Sequence, residues 1–253
     1  ADYCRISQFY METSQNLAKY QALSLAGEDV SMKFFGVYVL SVAEDSTFKG
    51  ILNIVDTVTS INGETFESSA QLIEYVSGLE LGSDVTVGYE RLGEKLTAEG
   101  QIIKLDNGKN GIGIGLVDHT EVKTDVPIEF QTENIGGSSA GLMFTLAIYT
   151  QLADPTLRDG RDIAGTGTIE QDGSVGDIGG VDKKVISAAQ AGATIFFAPN
   201  NPVDEEILKE DPNALSNYDE AVKTVEEEGL DIEDVPVTNI KEAIAYLEET
   251  RGS

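Results

Sequence analysis

Two polar side chains stand where a nucleophile and its base could stand. Ser139 lies in the run Asn134-Ile135-Gly136-Gly137-Ser138-Ser139-Ala140-Gly141, directly ahead of a strongly apolar stretch. The glycines let another backbone approach closely. A helix starting there surrounds the hydroxyl with unpaired amides and the positive end of the helix dipole, which suits a developing oxyanion. A serine at a helix start is on its own most often an N-cap, so a base must be found. The one histidine, His119, lies in a strand–loop region with no partner aspartate that the sequence marks out, and a Ser-His-Asp arrangement stays open. Lysine is the other candidate, provided burial strips it of water and lowers its pKa.

A helix beginning at Asp182 supplies that lysine. Val181, Lys184, Val185, Ala188 and Ala189 fall on one stripe at three- and four-residue spacing, whereas Lys183, Ser187 and Gln190 fall on the other face. Lys184 is thus directed inward and Lys183 outward. An inward lysine also arises by snorkelling at an interface; what favours a base is its pairing with the serine motif.

The elements that must carry these residues read as two textures. A helix is expected over residues 8–26, with Tyr10, Leu17 and Tyr20 on one stripe and Gly27 as C-cap. Short β-type runs follow at 37–39, 58–61, 85–89 and 96–103, separated by turn signals such as Asn62-Gly63 and Leu92-Gly93. One helix interrupts them, capped by Ser68-Ser69 and ending at Gly78. Residues 107–110 read as a linker, and beyond them lies an α/β pattern. It opens with a Gly-alternating strand at 111–117 and an extended segment at 126–130, then the apolar helix after Gly141. Short strands in 165–180, helices at 182–191, 203–209, 217–227 and 240–248, and strands at 194–198 and 234–237 complete it.

Composition narrows the function classes. The 253 residues are enough for two domains, and 41% hydrophobic with 24% charged residues is a globular balance. One cysteine, Cys4, forms no intrachain disulfide, and one histidine leaves no His/Cys zinc site. The net charge of −27 repels nucleic acid and anionic lipid. It either attracts cationic peptides or simply keeps the protein soluble. The longest apolar stretch, about 141–153, is too short to span a bilayer. The chain starts at Ala1 without a signal peptide, which reads as a processed or trimmed piece whose N-terminal anchor has been removed.

The run Gly36-Val37-Tyr38-Val39, then Glu44-Asp45-Ser46, then Asp56 to Gly63 with its Ile61-Asn62-Gly63 turn, resembles a bacterial PDZ domain over about 34–105. Val55-Asp56 stands where Gly-Asp is usual, and Thr47-Phe48 where Pro-Ala is common. PDZ domains bind a peptide as an added strand beside a helix. The resemblance implies that Gly36, Val37, Tyr38 and Val39 face that ligand.

Ser139-Ala140-Gly141 together with Gly179-Gly180-Val181-Asp182-Lys183-Lys184 resembles the Lon (S16-type) peptidase domain, over about 108–253. The 184 − 139 = 45 residue separation is close to the family's usual one. Ser138 occupies the position where the family has Pro. The resemblance implies Ser139 as nucleophile and Lys184 as general base, with Thr166 bonding the lysine. It also implies an oxyanion hole of the backbone at Gly137, Ser139 and Ala140, and neither cofactor nor metal. No Gly-x-x-x-x-Gly-Lys-[Ser/Thr] loop occurs, so no ATPase is expected in this chain. The Gly111–Gly115 run is not a dinucleotide loop, since no capped helix with a third glycine follows it.

The PDZ–Lon pairing is similar to surface peptidases of Gram-positive bacteria, the SepM-like group, one streptococcal member of which trims a competence pheromone. The expected fold is an α/β (α+β) Lon-type proteolytic domain at 107–253 with a small PDZ β-barrel or sandwich-like domain at 34–106. A helical segment at 1–33 stands alone or belongs to the protease domain, in which case the PDZ domain is an insertion. The expected function is that of an ATP-independent serine endopeptidase at the extracellular face of the cell membrane. Its partner would be an extended, cationic peptide, without nucleic acid or ATP, and it would meet the membrane only through an anchor absent from this chain. The competing expectation is a non-catalytic PDZ adaptor on a Lon-like scaffold; the intact Ser139, Thr166 and Lys184 speak against it.

Overall fold

The computed structural model describes residues 2–131 and 137–253, with side chains from residue 4 onward. Asn134, Ile135 and Gly136 of the serine motif lie outside the described residues. The chain folds into two compact units. One comprises the chain up to Thr13 with Ser31–Lys123; the other comprises Ser14–Val30 with Thr124–Ser253.

Helix α1, Asp2–Leu25, contributes to both units. In the first unit come β1 (Ser31–Val42), β2 (Thr57–Ile61), α2 (Ser69–Ser77), β3 (Asp84–Arg91), β4 (Glu94–Gln101), β5 (Ile103–Lys104), β6 (Asn110–Gly111) and β7 (Ile114–Lys123). Five of the strands form an antiparallel sheet in the order β4-β3-β2-β1-β7. Its core collects Val37, Val39, Phe48, Val58, Ile61, Val85 and Val87 from the strands and turns, and Leu72 and Val76 from α2. Alternation sends the residues of β1 and β3 to one face, and the register irregularity between Val58 and Ser60 lets Val58 and Ile61 of β2 join them.

The expected linker at residues 107–110 is instead a turn. The Leu105 amide donates to Lys109 O and the Gly108 amide to Leu105 O, joining β5 to β6. Nor does the first unit end at residue 106. The strand expected at 111–117 runs on to Lys123 and pairs with β1 from Val42↔Ile114 to Ser31↔Lys123. The buried stripe of α1 is also not Tyr10, Leu17 and Tyr20. Ser14, Ala18, Gln21, Ala22 and Leu23 are the buried residues, Leu17 packs partly buried against the core, and Tyr10 is 38% exposed. Serine, alanine and glutamine carry little hydropathy for a periodicity to reveal.

Position 36 requires glycine. A Cβ there would meet Val58 O at 2.0 Å, because β1 and β2 approach closely at this point. Position 55 holds a β-branched residue where glycine is the easier fit: Val55 has φ +84°. The neighbouring Asp56 is held firmly. Its buried carboxylate accepts from the Asn53 amide at 2.7 Å and from Arg91 Nε and Nη2 at 2.8 and 2.7 Å.

In the second unit a 3-10 turn, Ser138–Ala140, leads into α3 (Gly141–Ala153). Then come β8 (Ile163–Gly165), β9 (Thr168–Ile169), β10 (Val175–Gly176), α4 (Val181–Gln190), β11 (Ile195–Pro199), α5 (Glu205–Glu210), α6 (Asn217–Glu228), β12 (Glu233–Val237) and α7 (Ile240–Glu249). The parallel sheet β12-β11-β8 is buried on both faces, and every residue of β11 is buried. Ile195 and Phe197 join Ala18, Ala22, Leu142, Leu146 and Ile240 on one face; Phe196 and Ala198 join Val181, Val185 and Ala221 on the other.

Val55→Gly is expected to stabilise the first unit by about 0.5–1 kcal/mol, relief of a strained φ exceeding the entropy that glycine loses. Urea unfolding followed by hydrogen exchange of β2 amides reads this out; no gain would mean that position 55 carries no strain.

Candidate active site and peptide groove

Ser139 sits in the 3-10 turn that opens α3, and its side chain does not cap that helix. Neither the turn nor α3 has a side-chain cap bond. Instead Ser139 Oγ lies 2.9 Å from Lys184 Nζ. Lys184 Nζ also reaches Thr166 Oγ1 at 3.3 Å. Three residues far apart in sequence, Ser139, Thr166 and Lys184, therefore meet.

Backbone bonds hold each of them. The Gly167 amide and Thr166 Oγ1 both donate to Ser139 O, at 3.0 and 3.4 Å, and the Leu142 amide donates to Gly167 O at 3.0 Å. The Thr166 amide donates to Phe197 O at 3.0 Å, which fastens this segment to β11. Gly141 is glycine because a Cβ there would meet the Ile169 amide nitrogen at 2.8 Å. Lys184 follows from α4, whose buried stripe of Val181 and Val185 turns it inward while Lys183 stays exposed.

Burial pushes the Lys184 ammonium below the ordinary lysine range, since the charged form is the one that water stabilises. Among the described residues no carboxylate pairs with it. Once neutral, the amine has a lone pair 2.9 Å from a hydroxyl, and Thr166 accepts one of its N–H bonds. That is the geometry of a general base on a serine. Gly137, Ser139 and Ala140 all lie at the first turn, where amides lack intrahelical partners. Ser138, next to the reactive position, is exposed.

His119 is engaged in the first unit. Its Nδ1 lies 2.9 Å from Thr57 Oγ1, its ring stacks on Tyr38 at 4.2 Å between centroids, and burial lowers its pKa.

The expected ligand strand is a correction. β1 lies between β2 and β7, so Gly36, Val37, Tyr38 and Val39 present no free edge. Val37 and Val39 are fully buried, and Tyr38 stacks between Phe9 and His119. The edges of the sheet belong to β4 and β7, and β7 is the one beside β1. Val39 bonds to Asp56 O and to the Val55 amide on the β2 side, so Leu116, opposite it, turns its own amide and carbonyl outward. Helix α2 lies alongside: Ser69 at its start is near enough to pull the Asp118 carboxyl pKa down against its burial, and Asn110 Nδ2 donates to Leu79 O just past its end. The signal for this edge was the Gly111–Gly115 alternation, which ends in a strand whose partner the sequence does not name.

The chain carries a PDZ domain, matched by that family over residues 8–102. It is also homologous to Lon proteases at modest identity. Lon protease of Ureaplasma parvum is 26% identical over 87% of this chain and 29% of its own length. Lon protease of Phenylobacterium zucineum is 32% identical over 48% of this chain and 15% of its own, and Lon protease 1 of Herpetosiphon aurantiacus 33% over 38% and 11%. The chain thus spans less than a third of the length of these relatives. The PDZ domain of an SdrC-like protein from Listeria monocytogenes is 32% identical over 34% of this chain and 90% of its own, with a TM-score of 0.32.

A lysine whose pKa is lowered by folding destabilises the folded state at every pH below that lowered value. The penalty fades as pH rises through the window up to the ordinary 10.5. Lys184→Met is therefore expected to raise the melting temperature at pH 7, by an amount that shrinks toward pH 10. Calorimetry at the two pH values checks it; an equal loss at both would mean that the bonds to Ser139 and Thr166 outweigh burial.

Proposed function

We propose that this chain is a serine endopeptidase that works without ATP through a Ser139–Lys184 dyad, with the PDZ domain capturing extended peptide. The observation that carries the reading is the 2.9 Å contact between Lys184 Nζ and Ser139 Oγ in the absence of a helix-cap bond to that serine. Homology to Lon proteases supports peptidase chemistry.

In this reading neutral Lys184 takes the Ser139 proton as Oγ bonds to the scissile carbonyl carbon. The amides at Gly137, Ser139 and Ala140 hold the resulting oxyanion. The C–N bond breaks as Lys184 returns its proton to the leaving amine, leaving an ester on Ser139. Water then attacks that ester with Lys184 again as base, releasing the carboxylic acid and restoring the hydroxyl. Thr166 orients the amine and touches no substrate.

The peptide would enter as a strand against the outer edge of β7, with α2 as the second wall. The net charge of −27 favours cationic peptides. By similarity to the SepM-like surface peptidases, the substrate is a secreted signalling peptide such as a competence pheromone. The protein would act at the outer face of the cell membrane. An adaptor role is less well supported, because a silent site has no need to keep a desolvated lysine against a serine.

Ser139→Ala and Lys184→Ala are each expected to lower kcat by at least about a thousandfold, and the double variant to be no worse than either. Ser138→Ala should keep most activity. Wild-type kcat should rise from neutral into alkaline pH as Lys184 loses its proton. Product mapping by mass spectrometry on extended peptides, without ATP, reads all of these. Full activity in Lys184→Ala would sink the mechanism.

A further inference from the structure

The open edge of β7 is not uniformly apolar. Ile114, Leu116 and Asp118 recur with a period of two opposite Val42, Val39 and Val37, so all three side chains project to the face that α2 covers. Ile114 and Leu116 pack against the core of the unit. Asp118 stands opposite a fully buried valine with a half-buried carboxylate. Burial raises its pKa, Ser69 only partly offsets this, and no lysine or arginine among the described residues pairs with it. The Asp118 carbonyl is occupied by Thr13 Oγ1 at 2.9 Å, so the free edge ends at this residue.

We propose that Asp118 and Ser69 form a cation subsite at the end of the groove. It selects extended peptides that carry a lysine or arginine two or four residues from apolar side chains. The inference rests on the strand-addition reading of the β7 edge and names its ligand class. A strand laid on β7 sends alternate side chains toward α2, and the floor it meets reads apolar at 114, apolar at 116 and anionic at 118. Spacing along a strand is about 3.4 Å per residue, so the cation would stand about 7 and 14 Å from the two apolar contacts. An incoming ammonium or guanidinium gives the carboxylate the charge-assisted partner it lacks. A second copy of this chain is a poor occupant, since each copy carries −27.

The test uses the full chain carrying Ser139→Ala, so that no peptide is turned over. Fluorescein-labelled peptides with the pattern apolar-x-apolar-x-Lys, in both chain directions, are titrated by anisotropy against matched peptides with norleucine or Glu in place of Lys. The Lys peptide is expected to bind about tenfold tighter than its norleucine match. Asp118→Asn should erase that advantage without weakening the norleucine peptide, and Asp118→Lys should favour the Glu peptide. Hydrogen exchange of the Leu116 amide separates the two failures. If peptides protect it but Lys and norleucine bind alike, the cation subsite is wrong and the groove stands. If no peptide protects it, groove and subsite both fall. If Asp118→Asn instead tightens every peptide equally, the carboxylate only blocks unwanted strand pairing.

Discussion

The candidate active site depends on keeping an ammonium group half-buried beside a hydroxyl and away from any carboxylate. A carboxylate next to Lys184 would hold its proton in place, and open water would restore its ordinary basicity. Thr166, 2% exposed, meets both demands: it gives the lysine a polar contact that carries no charge. The rest of the second unit serves that placement. β11 fixes Thr166 through Phe197, the Gly167 amide fixes Ser139 through its carbonyl, and the packed stripe of α4 fixes Lys184.

That arrangement was legible in the sequence because each part rests on a local rule. Val181 and Val185 decide that Lys184 and not Lys183 points inward, and helical periodicity alone distinguishes the two. The serine motif could not by itself separate a candidate nucleophile from an N-cap; in the structure Ser139 makes no cap bond and its hydroxyl meets Lys184 instead. Tertiary pairing was not legible. Nothing in Gly36-Val37-Tyr38-Val39 says that a strand some eighty residues later will cover its second edge, because a strand's pattern encodes its faces and not its neighbours. The same limit put a domain boundary inside a turn and left the Gly111–Gly115 run without a role. In α1 most of the buried residues are serine, alanine and glutamine, with Leu23 the one large apolar side chain among them, so hydropathy pointed in part to exposed or half-buried tyrosines instead.

The first unit shows how a departure from a family pattern is accommodated. Val55 replaces the usual glycine and must adopt φ +84°, yet Asp56 beside it is gripped by Arg91 and by the Asn53 amide. A carboxylate so fully bonded over-determines the local backbone, which is how a sparsely populated φ persists.

The pairing of Ser31 with Lys123 has a consequence for how the chain assembles. The second unit is built from two stretches of chain separated by the whole of β1 through β7. Were that intervening stretch a random coil, bringing its ends together would cost roughly 4 kcal/mol of loop-closure entropy. Once the sheet has formed, its first and last residues are neighbours across a strand pair, and the second unit meets the insertion as if it were a tight hairpin. The order of events in synthesis suits this. The sheet is complete when Lys123 has been added, before Ser139, Lys184 or the strand β11 that anchors Thr166 has been made.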